Sequence, residues 1–314
     1  MTSFPRTLTP IGGPFLPAKV AGAAEGMGSY GDATRALVHA GLLQPDLICG
    51  MTLALLARQP RRPRAATGDG GEADAPRKSG VAGRVWVRER FTIHRPIPHD
   101  DAWTVEGEST GTYVRKGRSY STTASRSTTS TGERFATNLT TGLFSYRADP
   151  DLPDSVQGLA IEDTPTPAVD RQAASRNPCL DAIRSLHTGD RLGDVSVPMT
   201  LAMMAARDTE NPDNPIHSDL DAAKKAGLAR PIAGGSHVLA FALEAVMAEL
   251  GTESLLHGSF VDVRWKAPTE DGTHIVPTAT VEVATSDRVE LALQVDLEGG
   301  PTAMVGRLVV PLPG

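Results

Sequence analysis

Ala40-Gly41-Leu42, Pro45 and Ile48-Cys49-Gly50, lying ahead of an apolar run over 52–57, return about 186 residues later. The second copy reads Ala226-Gly227-Leu228, Pro231 and Ile232-Ala233-Gly234, ahead of 236–241, with a two-residue slip. Two copies so far apart describe a duplicated domain, because solenoid repeats recur every ~20–50 residues. With 314 residues, each copy can own a hydrophobic core.

The rest of the chain fills in what each copy contains. Residues 1–30, rich in Gly and Pro, read as an irregular lead-in strand or arm. Helical spacing follows over 32–40 and 51–58, where Leu53, Leu56 and Ala57 share a face and Gln59-Pro60 ends the helix. Residues 60–80 turn to Pro, Gly, Arg and Asp without periodicity and read as a mobile excursion. From 81 to 146 the pattern is β throughout, with strands over 85–93, 104–113, 120–131 and 135–144. Lys116-Gly117 marks a hairpin turn that sets Arg115 opposite Arg118, a like-charge pair that either points into solvent or contacts an anion.

Five prolines between 150 and 178 suggest a linker over 151–178, separating a first unit (1–150) from a second (179–314). The second unit repeats the order: a strand over 194–200, a helix and loop through Asp219, a helix over 236–250, then strands over 256–266, 274–285, 289–297 and 302–312. Leu239, Leu243, Val246 and Leu250 line that helix, Phe241 and Met247 widen its apolar face, and Gly251 sits at the C-cap position. The class is therefore α+β, each unit being one long apolar helix wrapped by a strongly curved antiparallel sheet.

The formal net charge of −6 argues against general nucleic-acid binding, which needs a clustered positive surface. The first 17 residues lack the apolar core of a signal peptide, and the longest apolar run, 47–57, is about half what a membrane-crossing helix requires. Cys49 and Cys179 indicate neither a disulfide framework nor a zinc site, so a reducing cytoplasm is expected.

Chemistry concentrates between 214 and 237. Asn214-Pro215-Ile216-His217-Ser218-Asp219 is a turn carrying a group that titrates near neutral pH, and Pro231-Ile232-Ala233-Gly234-Gly235 opens a helix whose first N–H groups lack intrahelical partners. A proton carrier beside preorganised donors is what acyl chemistry requires. Plain alternatives accompany each residue: Asp219 as the N-cap of a short helix ending at Gly227, Ser236 as a helix cap, His237 as a satisfied polar position, and His94 and His99 as loop residues.

This stretch resembles the hydratase-2 motif of MaoC-like dehydratases, which are hot-dog-fold proteins, and the order of the whole chain resembles a double hot-dog with a degenerate first unit. The resemblance implies reversible syn addition of water to a 2-enoyl thioester, giving an (R)-3-hydroxyacyl thioester. It implies His217 as proton carrier, Asn214 as a site residue, with the plain alternative that its Asn-Pro turn only fixes the loop, and the Gly235 N–H as donor to the thioester oxygen. The family's catalytic Asp lies five residues before the His, where this chain has Pro212. Asp213 is one residue late, and Asp208 and Glu210 lie upstream, so Asp213 or Asp208 must supply the carboxylate if the loop shifts or bulges.

The same resemblance makes Gly234 and Ser236 substrate-binding positions and an acyl-CoA or acyl-carrier thioester the partner. No cofactor is implied, since coenzyme A would enter as part of the substrate. Arg115 and Arg118, with Arg58, Arg84 and Lys116, are the candidates for its phosphates. The two units would pair within the chain as a pseudo-dimer, with a homodimer of chains a further option. Two rival readings stay open: a binding protein for acyl thioesters or another apolar small molecule that has lost hydration, and a hot-dog thioesterase.

Overall fold

The structure, a computed structural model, describes residues 7–10, 17–49, 85–143, 148–158, 169–208 and 215–313. The helix expected over 51–58, the 60–80 excursion, Arg58, Arg84, Glu210, Pro212, Asp213 and Asn214 lie outside the described residues.

Among the described residues twelve strands form one sheet: β1 (Thr7–Pro10), β2 (Val85–Ile93), β3 (Trp103–Arg115), β4 (Arg118–Thr129), β5 (Arg134–Leu143), β6 (Ser155–Gly158), β7 (Arg191–Gly193), β8 (Val197–Pro198), β9 (Phe260–Trp265), β10 (His274–Ala284), β11 (Arg288–Leu297) and β12 (Thr302–Pro311). Their order is β1-β3-β4-β5-β2-β9-β12-β11-β10-β7, with β6 beside β3 and β8 beside β10. The units meet where β2 pairs antiparallel with β9, Glu89 opposite Val263. Among the described residues these helices accompany the sheet: α1 (Pro17–Glu25), α2 (Asp32–His39), α3 (Arg171–Ala174), α4 (Leu180–Arg184), α5 (Leu201–Arg207), α6 (Leu220–Lys225) and α7 (Gly235–Leu250). None among the described residues is long and apolar enough to cross a membrane.

The β3–β4 hairpin forms as its sequence dictates, with Lys116 (φ 50°) and Gly117 (φ 68°) supplying the left-handed turn and Arg115 opposite Arg118. A Cβ at Gly117 would lie 2.1 Å from the Asp149 carbonyl, so only glycine lets the 149–154 segment dock on this tip. Three stretches differ from expectation. Part of the lead-in is the helix α1, hidden in the sequence because Ala and Gly carry its contact face: a Cβ at Gly26, just beyond it, would sit 2.9 Å from Arg207 Cβ. Of the strand expected over 194–200 only β8 is extended in the sheet; β7 lies just ahead of that range, and Gly193 (φ 84°) and Asp194 (φ 87°) break the chain between them. Within the expected linker, β6 continues the first unit's sheet.

Helix α7 is the second unit's axis. Every residue from His237 to Met247 is buried, so the helix is wrapped on all sides. The sheet face it meets is aliphatic: Val261, Val263, Ile275, Val281, Leu291, Leu293, Val295 and Leu308 are each at most 1% exposed. Gly251 (φ 100°) ends it, its N–H returning to the Met247 carbonyl. On the helix's other side, the buried Glu244 carboxylate accepts from Ala33 N–H (2.8 Å), Thr34 N–H (2.9 Å) and Thr34 Oγ1 (2.5 Å). Helix α2 has no side-chain cap of its own, so a residue of α7 satisfies its first turn and fixes the two helices together.

The first unit's inner face is different. Across β2, β5 and β4 it presents Glu89, Thr140 and Thr123 in one row and Phe91, Asn138 and Ser125 in the next, all buried.

Candidate active site

His217 closes the 3-10 turn Pro215–His217 and is partly buried. Its Nδ1–H donates to the Ile232 carbonyl at 2.7 Å. A carbonyl only accepts, so Nδ1 holds the proton and Nε2 carries the lone pair of the neutral ring. The Ile232 N–H in turn donates to the Ile216 carbonyl at 3.3 Å, and the Ala233 N–H donates to the Thr269 carbonyl at 2.8 Å. Two reciprocal bonds therefore clamp the His217 turn to the segment that leads into α7, and imidazole and helix start move as one body.

At that start, Gly234 is the N-cap, and its carbonyl accepts from the His237 and Val238 N–H groups. The N–H groups of Gly235 and Ser236 are left for which the helix geometry supplies no partner, at the positive end of its dipole. Trp265 decides why position 235 is glycine. Its Nε1 donates to the Gly235 carbonyl at 2.9 Å, and a Cβ there would lie 2.7 Å from the ring. Trp86 stacks on Trp265, centroids 6.1 Å apart and planes 18° apart. A Cβ at Gly234, by contrast, would meet nothing within 4 Å, so that side of the helix start is open. Gly235→Ala should cost about 1–3 kcal/mol of stability through this overpacking. Thermal melts followed by tryptophan fluorescence check it, and a variant as stable as the parent with an unmoved emission would refute the contact.

Of the candidate carboxylates, Asp208 is described: it is the C-cap of α5, its N–H bonded to the Met204 carbonyl at 3.0 Å. It directly follows Arg207, which is buried against α1 and forms an ion pair with Asp46. Arg207 also donates to Gln44 Oε1 at 3.1 Å; Gln44 donates to Thr34 Oγ1 at 2.9 Å, and Thr34 to Glu244. Burial holds the Arg207 guanidinium down to about 10, opposed by the negative charge of Asp208. His237 is 1% exposed, with its Nε2–H donating to the Gly26 carbonyl at 2.6 Å. Burial first, then the Arg207 cation, push it down to about 3, so it is a neutral packing residue and not a proton carrier. Asp219 caps α6, accepting from the Ala222 N–H at 2.6 Å.

Arg115 and Arg118 sit on the first unit. Pairing of Tyr120 with Leu143 and of Leu143 with Val85 places their hairpin tip at the Trp86 end of the sheet, the end at which Gly235 lies. Strands β5 and β2 separate β4 from β9, about 14 Å at the usual strand spacing. His94 is tied to Asp170 Oδ2 at 3.0 Å and to Thr137 Oγ1 at 3.2 Å, a structural role beyond that of a loop residue.

The backbone also corrects the alignment of the two copies. Leu42 bridges Pro98 as Ile232 bridges Glu270, and the Leu43 N–H meets the Ile97 carbonyl as the Ala233 N–H meets that of Thr269. Counted from these bonds, Gln44-Pro45-Asp46 occupy the places of Gly234-Gly235-Ser236. Pro45, where the second unit has Gly235, has no N–H to offer, and Asp46 is taken up by Arg207. Position 45 thus offers no N–H to a ligand anion, and among the described residues the start of α7 is the one such site.

A single antiparallel sheet formed by two helix-bearing units, joined edge to edge with one competent helix start, defines a double hot-dog protein. Residues 194–291 match the family model described as "MaoC like domain". No curated protein matches the chain in sequence. Among solved structures it is similar to a protein titled MaoC-like dehydratase, at 18% identity and TM-score 0.70, covering 98% of this chain and 97% of that one. It is similar to peroxisomal multifunctional enzyme type 2 of Drosophila melanogaster at 14% identity and TM-score 0.63, covering 98% of this chain and 48% of that longer one. A third, a conserved hypothetical protein of Mycobacterium tuberculosis with a double hotdog fold, gives 15% identity and TM-score 0.60 over 99% of this chain and 96% of that one.

Three parts of this region escape sequence reasoning: the Trp86–Trp265 stack, the Glu244 carboxylate and the Asp46–Arg207 pair. Glu244 alone leaves a trace, as a charge inside the apolar run of α7.

Proposed function

We propose that the protein catalyses reversible hydration of a 2-enoyl thioester to a 3-hydroxyacyl thioester, with coenzyme A as the thiol. The observation that carries this reading is the clamp between His217 and Ile232, which fixes an imidazole to the segment two residues ahead of the N-cap of α7. In this reading His217 Nε2 takes a proton from water as the water oxygen bonds to the β-carbon. A carboxylic acid, that of Asp208 or Asp213, gives its proton to the α-carbon. Charge developing on the thioester oxygen falls to the Gly235 N–H and the dipole of α7. Gly234, with open space beside it, and Ser236 would border the thioester, and Arg115 and Arg118 would lie toward the coenzyme A phosphates.

Loss of the conjugated enoyl absorbance with crotonyl-CoA and longer 2-enoyl-CoAs is the direct test. Steady hydration is expected, and no hydration at any chain length would refute the reading. A second reading rests on Pro212: with no side-chain proton at the family's acid position, the site would bind acyl thioesters without turning them over. Calorimetric binding of an acyl-CoA with no hydration would favour it.

A further inference from the structure

The inner face of the first unit holds polar groups that its own structure does not match. Glu89 is fully buried on β2, and its Oε1 accepts from Asn138 Nδ2 (3.2 Å) and Thr140 Oγ1 (3.1 Å). Asn138 is 5% exposed and also donates to the Ile48 carbonyl at 3.2 Å. Both Asn138 donors are thus committed, and Oε1 is doubly engaged. Among the described residues, Glu89 Oε2, Asn138 Oδ1, Ser121 Oγ and Ser127 Oγ have no hydrogen-bond partner. These side chains project from adjacent strands, with Asn138 opposite both Phe91 and Ser125 and Thr140 opposite both Glu89 and Thr123.

Their position relative to the helix start is fixed by register. Glu89 faces Val263 across the β2–β9 junction, two residues along β9 from Trp265, the ring that touches Gly235. Two residues of strand span about 7 Å. A β-bulge between Trp86 and Arg88 sets Trp86 against Trp265, so the Trp pair lies at the junction between the start of α7 and the row of Glu89. A chain held by its thioester at Gly235 and running toward the first unit meets Glu89 and Asn138 after a few carbons.

We infer that this face is the acyl subsite and that it is built for an acyl group bearing a hydroxyl, with Asn138 Oδ1 accepting from that hydroxyl and Glu89 Oε2 donating to it. The inference rests on the function proposed above. Burial supports the donor role: it pushes the Glu89 carboxyl up to about 8, against the bonds from Thr140 and Asn138, so the group is protonated at neutral pH. With Oε1 engaged twice as an acceptor, the proton belongs on Oε2. A plain alkyl chain would leave both atoms unmatched, and sites that hydrogen-bond a substrate hydroxyl discriminate strongly against analogues that lack it.

The test compares medium-chain 2-enoyl-CoAs, plain and hydroxylated on successive carbons, by kcat/KM and by calorimetric binding to the unmodified protein. At one hydroxyl position a preference of roughly tenfold or more over the plain chain is expected. It should invert in the paired variant Glu89→Leu/Asn138→Leu, whose two partners are removed together, and persist in Glu89→Gln, whose amide keeps an acceptor and a donor in the same places. Equal or better use of plain chains by the unmodified protein would show that the groups hold only water and would overturn the inference, leaving the hydratase reading intact. Tighter binding of a hydroxylated thioester without hydration would uphold the subsite and sink the hydratase. No binding of either kind would end both.

Discussion

Replacing Asp46 with alanine is expected to lower the unfolding free energy by about 3–5 kcal/mol, a large share of the stability of an ordinary protein. Asp46 is fully buried, its partner Arg207 has only 8% of its side chain exposed, and the guanidinium is further held by Gln44. Removing the carboxylate leaves a cation that α1 and α5 shut away from water, and burial has already weakened its hold on the proton. Denaturant titration measures the loss, and a cost below about 1 kcal/mol would mean that the cation finds water after all. Replacing both partners together, Asp46→Leu with Arg207→Met, should recover most of the loss, because the penalty lies in the unmatched charge rather than in the missing attraction. Since Asp208 follows Arg207, the single variant also loosens the end of α5 from which the candidate acid projects.

His217→Ala should lower kcat for enoyl-CoA hydration by roughly 10²–10⁴ with little change in KM, the signature of a lost proton carrier. The expectation follows from the Nδ1–H bond to Ile232, which orients the ring relative to the start of α7. Losing it also releases one of the two bonds that hold the turn to the helix start, so thermal stability must be measured alongside. A variant that keeps more than about a tenth of the parent kcat would remove His217 from the chemistry. His217→Gln separates the two effects: its amide can reach the Ile232 carbonyl, so it should restore much of the lost stability and none of the proton transfer.

The sequence carried the second unit almost whole. Leu239, Leu243, Val246 and Leu250 mark α7, and Gly251 ends it where its positive φ is needed. The four strands that follow alternate or run apolar because one face meets that helix. The hairpin at Lys116-Gly117 and the cap at Asp219 were equally legible, since both are decided within four residues. Interactions settled across the fold were not. Nothing near Asp46 points to Arg207, and nothing near Gly235 points to Trp265, whose packing rather than ligand approach alone requires a glycine there. The duplication was visible, but its register was not: identical letters aligned Pro45 with Pro231, whereas backbone hydrogen bonds set Pro45 in the place of Gly235. The His217 turn is bonded to Ile232, ahead of the helix start, while Asp213 and Asn214 lie outside the described residues.

The junction of β2 with β9 has a consequence for how such a chain can change. In a dimer of identical subunits every substitution appears twice, so a proline that silences one helix start silences the other, and hydroxyls that line one inner face line both. Joining the units in one polypeptide removes that constraint. Pro45 and the Ser/Thr-rich face could arise once, opposite a helix start and an aliphatic face that stay as they are. Asymmetry between the halves is what the covalent link makes heritable.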